Sequence, residues 1–178
     1  MADNPHQSSL SGLARALVQA GRLKEAEAEV LLTQAAASKT SFIEQVVNAN
    51  KATAPDIARF ASETFGFPLF DIASYDDAHM PQGAIDRKLI AQHRVIPLYK
   101  RGNRLAVAIA DPTHLLALDE IRFQTGMAVD PVIVSESQLS PLVTKLSETA
   151  EEALKQLASE DINLEFGEGE PGEKGDDA

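Results

Sequence analysis

The chain has 178 residues, a net charge of −11 and no cysteine, and 44% of its residues are hydrophobic. This length suffices for one domain or two small ones with buried cores. The absence of cysteine excludes disulfides, thiolate zinc sites and catalytic cysteine. No apolar run approaches the roughly 18 residues of a membrane span, and the N-terminus lacks a signal-peptide pattern. The composition therefore predicts a cytoplasmic globular protein.

The negative charge is concentrated towards the C-terminal end of the chain. Residues 147–178 contain eleven acidic residues and two lysines, whereas residues 1–146 contain sixteen acidic and fourteen basic residues. The glycine- and glutamate-rich end cannot bury enough apolar surface to fold. We expect residues 1–9 to be disordered, and residues 147–178 to form a helix end followed by a flexible acidic linker. A linker at this position suggests that the chain is a fragment.

Residues 10–64 carry apolar residues at helical spacing in four short segments. Gly21 and Asn50 follow the first and third segments, where helices end. Thr53 begins the fourth segment, with Asp56 three residues later, as in an imperfect capping box. Residues of like character recur at an offset of 29: Leu13 and Phe42, Leu17 and Val46, Val18 and Val47, Gly21 and Asn50, Leu31 and Phe60. The offset predicts two tandem helical hairpins; the alternative is chance similarity between two amphipathic hairpins.

The second half of the chain predicts a small mixed α/β sheet. Residues 65–83, with Gly66, Pro68 and Pro81, are interpreted as a connector. In residues 84–146 a short helix precedes two strands joined by the Arg101-Gly102-Asn103 turn. The strand 104–110, helix 115–124 and strand 129–134 form a β-α-β unit, so these two strands should be parallel. A final helix should begin near Gln138. The predicted fold class is α+β: a helical subdomain, a small sheet subdomain and a disordered acidic tail.

No motif in the sequence indicates catalysis. The phosphate-binding pattern Gly-x-x-x-x-Gly-Lys-Ser/Thr is absent, so the chain has no P-loop. The histidines at positions 6, 79, 93 and 114 contain no i, i+4 pair, the spacing of a helical metal site. Asp111, which precedes Pro112, is interpreted as the N-cap of the next helix rather than as a functional acid. We therefore expect no catalytic residue, no metal and no cofactor in this chain, which should not be an enzyme by itself.

Six basic residues within eighteen positions could form a face for an anionic partner. They are Arg87, Lys88, Arg94, Lys100, Arg101 and Arg104. Nucleic acid is disfavoured, because Tyr99 is the only aromatic residue among them and the domain is not basic overall. An acidic protein surface fits better. The alternative is a solvated hairpin edge whose charges discourage strand-to-strand aggregation.

The stretch His93–Pro112 resembles the N-terminal domain of the secretion and pilus-extension ATPases. The resemblance extends from about Leu10 to Leu146. It implies a non-catalytic regulatory and docking domain of the hexameric ATPase that powers type IV pilus extension, peripheral to the inner membrane. ATP and Mg²⁺ would bind only in an ATPase core that this chain lacks. That core and the neighbouring subunits would be partners, with no nucleic acid and no membrane insertion.

Residues 10–64 are similar to domains of the MshEN type, which can bind cyclic di-GMP through two tandem motifs. The apolar residues of the motif are retained, whereas its polar positions are changed. Gly12 and Ser41 stand where the family has arginine, and Ala14 and Ile43 stand where it has glycine. A dianionic dinucleotide needs cationic or multiply donating groups. The resemblance therefore implies that tight direct binding of cyclic di-GMP is lost while the helical scaffold remains.

A retained scaffold with a degenerate ligand motif implies recognition of protein instead, and a PilZ-type adaptor protein is the expected partner. We expect its contact to use Leu13, Leu17, Phe42 or Val46, wherever these side chains are exposed. Two alternatives remain open. The chain could be a direct cyclic di-GMP receptor, or a stand-alone adaptor for protein interactions.

Overall fold

The computed structural model describes Leu10 and residues 12–165. Residues 10–64, here called the helical half, form four helices: α1 (Gly12–Gln19), α2 (Glu25–Ser38), α3 (Phe42–Asn48) and α4 (Ala54–Phe65). Within the described part of the chain, no helix is both long enough and apolar enough to cross a lipid bilayer.

The helical half confirms the 29-residue repeat. Gly21 and Asn50 both take the left-handed conformation, with φ of 70° and 54°, and each lies two residues after the end of its helix, α1 or α3. Leu17 and Val46, which are also one repeat apart, are both buried in the core. Each repeat is thus a helical hairpin that ends its first helix with a left-handed residue.

The N-terminal cap of α4 at Thr53 follows the sequence prediction, and Ser41 caps α3 in a similar way. The Ser41 hydroxyl accepts a hydrogen bond from the Glu44 amide at 3.1 Å. The Thr53 hydroxyl accepts one from the Asp56 amide at 3.3 Å and donates one to the Asp56 carboxylate at 2.6 Å. These bonds satisfy amides that lack a partner within the helix.

The connector, residues 65–83, is bonded to the sheet. It contains two short 3₁₀ helices, Ile72–Ser74 and Asp77–His79. Leu69 forms an isolated parallel bridge with Ile133. The Tyr75 hydroxyl donates a hydrogen bond to the Leu98 carbonyl at 2.6 Å. The connector is therefore joined both to the strand that contains Ile133 and to the strand that contains Leu98.

Residues 84–146, the sheet half, contain α5 (Arg87–His93), β1 (Ile96–Arg101), β2 (Arg104–Ile109), α6 (Leu115–Thr125) and β3 (Ala128–Ile133), and α7 (Glu136–Glu165) begins within them. The strand order is β1-β2-β3, with β1 and β2 antiparallel and β2 and β3 parallel. This topology confirms the predicted hairpin and β-α-β unit, and with the four helices it confirms the α+β fold class.

Several predicted boundaries differ from the structure. The helix after β2 begins at Leu115, with His114 rather than Asp111 at its cap position, so the N-cap prediction for Asp111 is wrong. The last helix begins at Glu136 and continues to Glu165. The predicted disorder of residues 1–9 and of the end of the acidic tail, 166–178, falls outside the described residues. The subdomain boundaries remain predictions.

A single cluster of buried apolar side chains runs through both halves. It extends from Leu10 and Leu13 in the helical half to Val107 and Ile133 in the sheet and Leu139 in α7. Because burial of these side chains removes apolar surface from water, the packing of one half onto the other stabilises both.

A cleft at the junction of the two halves

A cleft of about 350 Å³ lies between the two halves, and we call it the junction cleft. The turn between α2 and α3, residues 39–43, forms one wall. The end of α5, the end of β2 and the start of α6 form the others. Its polar and titratable lining residues are Lys39, Thr40, Ser41, Gln92, His93, Arg94, Asp111, His114 and Glu136. The cleft therefore collects charged groups from elements distant in sequence.

Arg94 and Glu136, which both line the junction cleft, form an ion pair. Arg94 caps α5 in the left-handed conformation, with φ of 53° and ψ of 58°, and Glu136 is the first residue of α7. The Ser41 hydroxyl, on the helical half, lies close enough to lower the pKa of the Glu136 carboxylate. The Arg94–Glu136 pair joins the end of α5 to the start of α7.

Glu136 is buried, and its surroundings act on its pKa in opposite directions. Burial is the largest influence and raises the pKa above the ordinary value of 4.5. The charge and hydrogen bond of Arg94, and the hydrogen bond of Ser41, lower it, while the Glu44 charge adds a small raising effect. The net direction is upward, so the pairing compensates only part of the cost of burying this carboxylate.

His93, the last residue of α5, lies between that helix and α6. It is buried, and its Nε2 pairs with the Glu120 carboxylate. Its ring stands edge-on to that of His114, with the centroids 5.4 Å apart. Two buried nitrogens at this point, Nδ1 of His93 and Nε of Arg94, have no hydrogen-bond partner among the described residues. The cost of burying these two nitrogens is therefore not offset by a hydrogen bond from the described residues.

Asp111 organises the turn after β2 and, through it, the start of α1. Its carboxylate accepts hydrogen bonds from the Thr113 amide at 2.9 Å and the Thr113 hydroxyl at 2.6 Å. The Thr113 oxygen in turn accepts one from the Leu13 amide at 3.2 Å. Asp111 therefore stabilises a contact between the two halves, instead of capping α6 as predicted.

The four positions that were predicted to belong to a degenerate ligand motif have structural roles in this chain. Gly12 begins α1 at a φ of 58°, next to Thr113. Ala14 and Ile43 are buried in the core. Ser41 caps α3 at the edge of the junction cleft. Of the four, Ser41 alone has a side chain with polar atoms, and that hydroxyl already has partners within the protein.

The residues predicted to contact a partner are mostly in the core. Leu13, Leu17 and Val46 are each at most 2% exposed, so the condition of exposure is not met for them. Phe42 is half-buried and lines the junction cleft. The helical half instead exposes Val30 and Leu32 on the outer side of α2.

The six basic residues do not form one unpaired face. Arg104 makes a two-point contact with Asp130 on the neighbouring strand, and Arg94 pairs with Glu136. The side chains of Arg87, Lys88, Lys100 and Arg101 are exposed. The sequence interpretation missed both carboxylates because they lie 26 and 42 residues away. The positive charge available to a partner is therefore smaller than the sequence suggested.

Within the described ranges, no cluster of three or more histidine, cysteine or acidic residues has metal-binding geometry. The cationic Arg94 is matched by an internal carboxylate, which reduces its attraction for an external anion.

Comparison with known proteins identifies the family. The sequence pattern of the MshEN domain matches residues 65–153, half of the chain. The chain belongs to the MshEN domain family. The family match covers the connector, the sheet half and part of α7 rather than the helical half, so the likeness of residues 10–64 depends on individual relatives.

Relatives of this MshEN domain include type IV pilus assembly ATPases called PilB. The PilB of Pseudomonas aeruginosa is 38% identical over 156 residues, which is 88% of this chain and 27% of the relative. The PilB of Acinetobacter baylyi is 33% identical over 135 residues, 76% of this chain and 23% of the relative. The chain thus spans about a quarter of the length of these relatives.

Solved structures support the fold. The structure of MshE with cdg has a TM-score of 0.55 and 19% identity, and the match covers 77% of this chain and 99% of that one. An N-terminal domain of XpsE has a TM-score of 0.57 and 23% identity, with 81% and 97% covered. At these identities the likeness supports the arrangement of helices and strands alone.

Proposed function

We propose that this MshEN domain is the non-catalytic regulatory and docking domain of a hexameric ATPase that drives type IV pilus extension. The 38% identity to a pilus assembly ATPase over 88% of the chain supports this assignment. The absence of a P-loop motif is consistent with ATP hydrolysis in another part of such a protein. In this proposal the domain works in the cytoplasm, against its own ATPase core and neighbouring subunits.

The proposal further states that cyclic di-GMP does not bind directly with high affinity. The single observation that carries it is the use of Ser41, at a position where the resemblance places arginine, as the cap of α3, with its hydroxyl accepting a hydrogen bond from the Glu44 amide. Ile43, at a glycine position, is buried, so its side chain takes space that glycine would leave open. The Glu136 carboxylate also pairs with Arg94, a cation that lines the junction cleft together with Ser41.

Regulatory input would then come through an adaptor protein of the PilZ type. A docking surface on the helical half has to be exposed, and Val30 of α2 meets that requirement at 55% exposure. It lines a shallow groove with Ala26, Gln34, Ala49 and Lys51, among others. An apolar groove with a charged rim is typical of transient protein interfaces.

Isothermal titration with cyclic di-GMP tests the loss of direct binding. We expect no saturable binding at micromolar concentrations, and a dissociation constant of micromolar or tighter would instead favour the direct receptor. Titration with a candidate PilZ-type protein tests the docking. Val30→Ser should weaken that binding at least tenfold, whereas Leu69→Ser, at a similarly exposed leucine of the connector, should not. Equal effects of the two substitutions would contradict the α2 placement.

A further inference from the structure

The outer face of α6 is apolar and uncovered among the described residues. Phe123 is 93% exposed, Leu115 64% and Leu116 63%. The opposite side of the same helix, with Ala117, Leu118 and Ile121, is buried in the core. Three large apolar side chains exposed on one short helix exceed what scattered surface residues explain, and such clusters mark interaction sites.

The order of residues along this face is symmetric about its middle. At 3.6 residues per turn, Leu116, Asp119 and Phe123 lie along one line. Asp119 pairs with Arg122 at 2.8 Å on the exposed surface. The face therefore has an apolar residue towards each end and one acid with one base between them. Glu120 lies on the flank, where it pairs with His93.

We propose that this face binds α6 of a second copy of the chain, with the two helices antiparallel about a two-fold axis. In that arrangement Leu116 of each copy packs against Phe123 of the other. Asp119 and Arg122 of each copy meet Arg122 and Asp119 of the other, so both charges are matched. A two-fold contact needs a surface that is complementary to itself, and this face has that property.

Charge complementarity favours a second copy over an unrelated partner. A partner surface of one sign would match either Asp119 or Arg122 and leave the other beside a like charge. Since two short helices bury less than the 1,200 Å² of a standard interface, the association should be weak, with a dissociation constant between about 10 µM and 1 mM. The inference goes beyond the proposed function and does not depend on it.

Sedimentation equilibrium of the 178-residue chain tests the association. The concentrations run from about 10 µM to 1 mM, which spans the dissociation constants expected of a weak interface. The mean mass should rise with concentration, and Phe123→Ser should abolish the rise. Leu69→Ser is the matched control, because Leu69 is exposed but lies outside α6, and it should leave the rise unchanged. Arg122→Asp should weaken association, and the double variant Asp119→Arg/Arg122→Asp should restore it. A constant monomer mass, or association unchanged in Phe123→Ser, would overturn the proposal.

Cysteine cross-linking tests the geometry cleanly, because the chain contains no cysteine. In an antiparallel pair, two copies of residue 116 are about 10 Å apart along the helix axis, as are two copies of residue 123. Disulfides need Cα atoms within about 7 Å. A mixture of Leu116→Cys and Phe123→Cys chains should therefore form disulfide dimers under mild oxidation, while either variant alone should not. Equal cross-linking of each variant alone would overturn the antiparallel arrangement, whatever the result of the adaptor titration.

Discussion

Gly12 of the helical half lies directly against the Thr113 side chain of the sheet half. A Cβ atom on Gly12 would lie 2.5 Å from the Thr113 hydroxyl oxygen, and Gly12 has a φ of 58°. The same oxygen accepts a hydrogen bond from the Leu13 amide at 3.2 Å. A glycine is needed here for two reasons: the left-handed backbone, and the space taken by Thr113. Gly12, which was predicted to be a degenerate motif position, is thus a packing contact between the two halves.

Gly12→Ala should destabilise the chain by more than about 2 kcal/mol, because the strain of a left-handed alanine adds to the overlap with Thr113. Gly21→Ala is the matched control, since Gly21 has a φ of 70° but no atom within 4 Å of an added Cβ. The control should cost about 1 kcal/mol, the strain alone. Urea denaturation measures both. Equal costs would show that Thr113 does not constrain Gly12.

Ser41→Ala should cost about 2 kcal/mol, because it removes both the α3 cap and a hydroxyl that lowers the pKa of the buried Glu136 and so favours its carboxylate. Thr53 occupies the N-cap of α4, the second helix of the same hairpin, and its capping bond is exposed. Thr53→Ala should therefore cost only about 1 kcal/mol, as is typical of N-caps. Thermal unfolding of the two variants under one buffer condition makes the comparison. A larger loss in Thr53→Ala would contradict the assigned link to Glu136.

Glu136 should make stability depend on pH. Burial raises its pKa in the folded chain, so the protonated form is favoured on folding. Its contribution is complete below the unfolded pKa near 4.5 and is lost as pH rises through the higher folded value. The unfolding free energy of wild type relative to Glu136→Gln should thus fall as pH rises, by at most about 1.4 kcal/mol per pH unit.

Arg94→Met provides the second arm of that experiment. Removing the guanidinium leaves a buried carboxylate without its cation, which should cost about 3 kcal/mol at neutral pH. Because Arg94 lowers the pKa of Glu136, its loss should raise that pKa further and extend the pH dependence upward. Arg104→Met, which breaks an exposed pair with Asp130, is the control and should cost less than about 1 kcal/mol. A pH profile that is identical in wild type and Arg94→Met would contradict the pairing.

Local chemistry explains what could be predicted from the sequence. The Gly102-Asn103 turn, the repeat that ends helices at Gly21 and Asn50, and the Thr53 cap are each encoded within a few residues. The β-α-β topology follows from element order and the handedness rule. These features gave the fold class and the element order without any long-range information.

The contacts that build the junction cleft could not be predicted in this way. Arg94 and Glu136 are 42 residues apart, and Leu13 and Thr113 are 100 apart. The Asp111-Pro112 pair is compatible with either a helix cap or a turn. In the structure the Asp111 carboxylate accepts hydrogen bonds from the Thr113 amide and hydroxyl, and these bonds form the turn. The predicted contact residues such as Leu17 failed for a related reason: an apolar row at helical spacing indicates burial, so it is a poor guide to a docking surface.

Tyr75→Phe should loosen the connector. The Tyr75 hydroxyl donates a hydrogen bond to the Leu98 carbonyl at 2.6 Å. This bond joins the part of the connector that contains the two 3₁₀ helices to β1. Burial, followed by the charges of Asp77 and Asp76, raises the pKa of Tyr75, so the donor stays protonated at neutral pH. Its removal should cost about 1 kcal/mol and leave the Leu98 carbonyl without this partner. Hydrogen exchange should then rise in residues 65–83 more than in α2; a uniform rise across the chain would mean that Tyr75 acts on global stability and not on the connector.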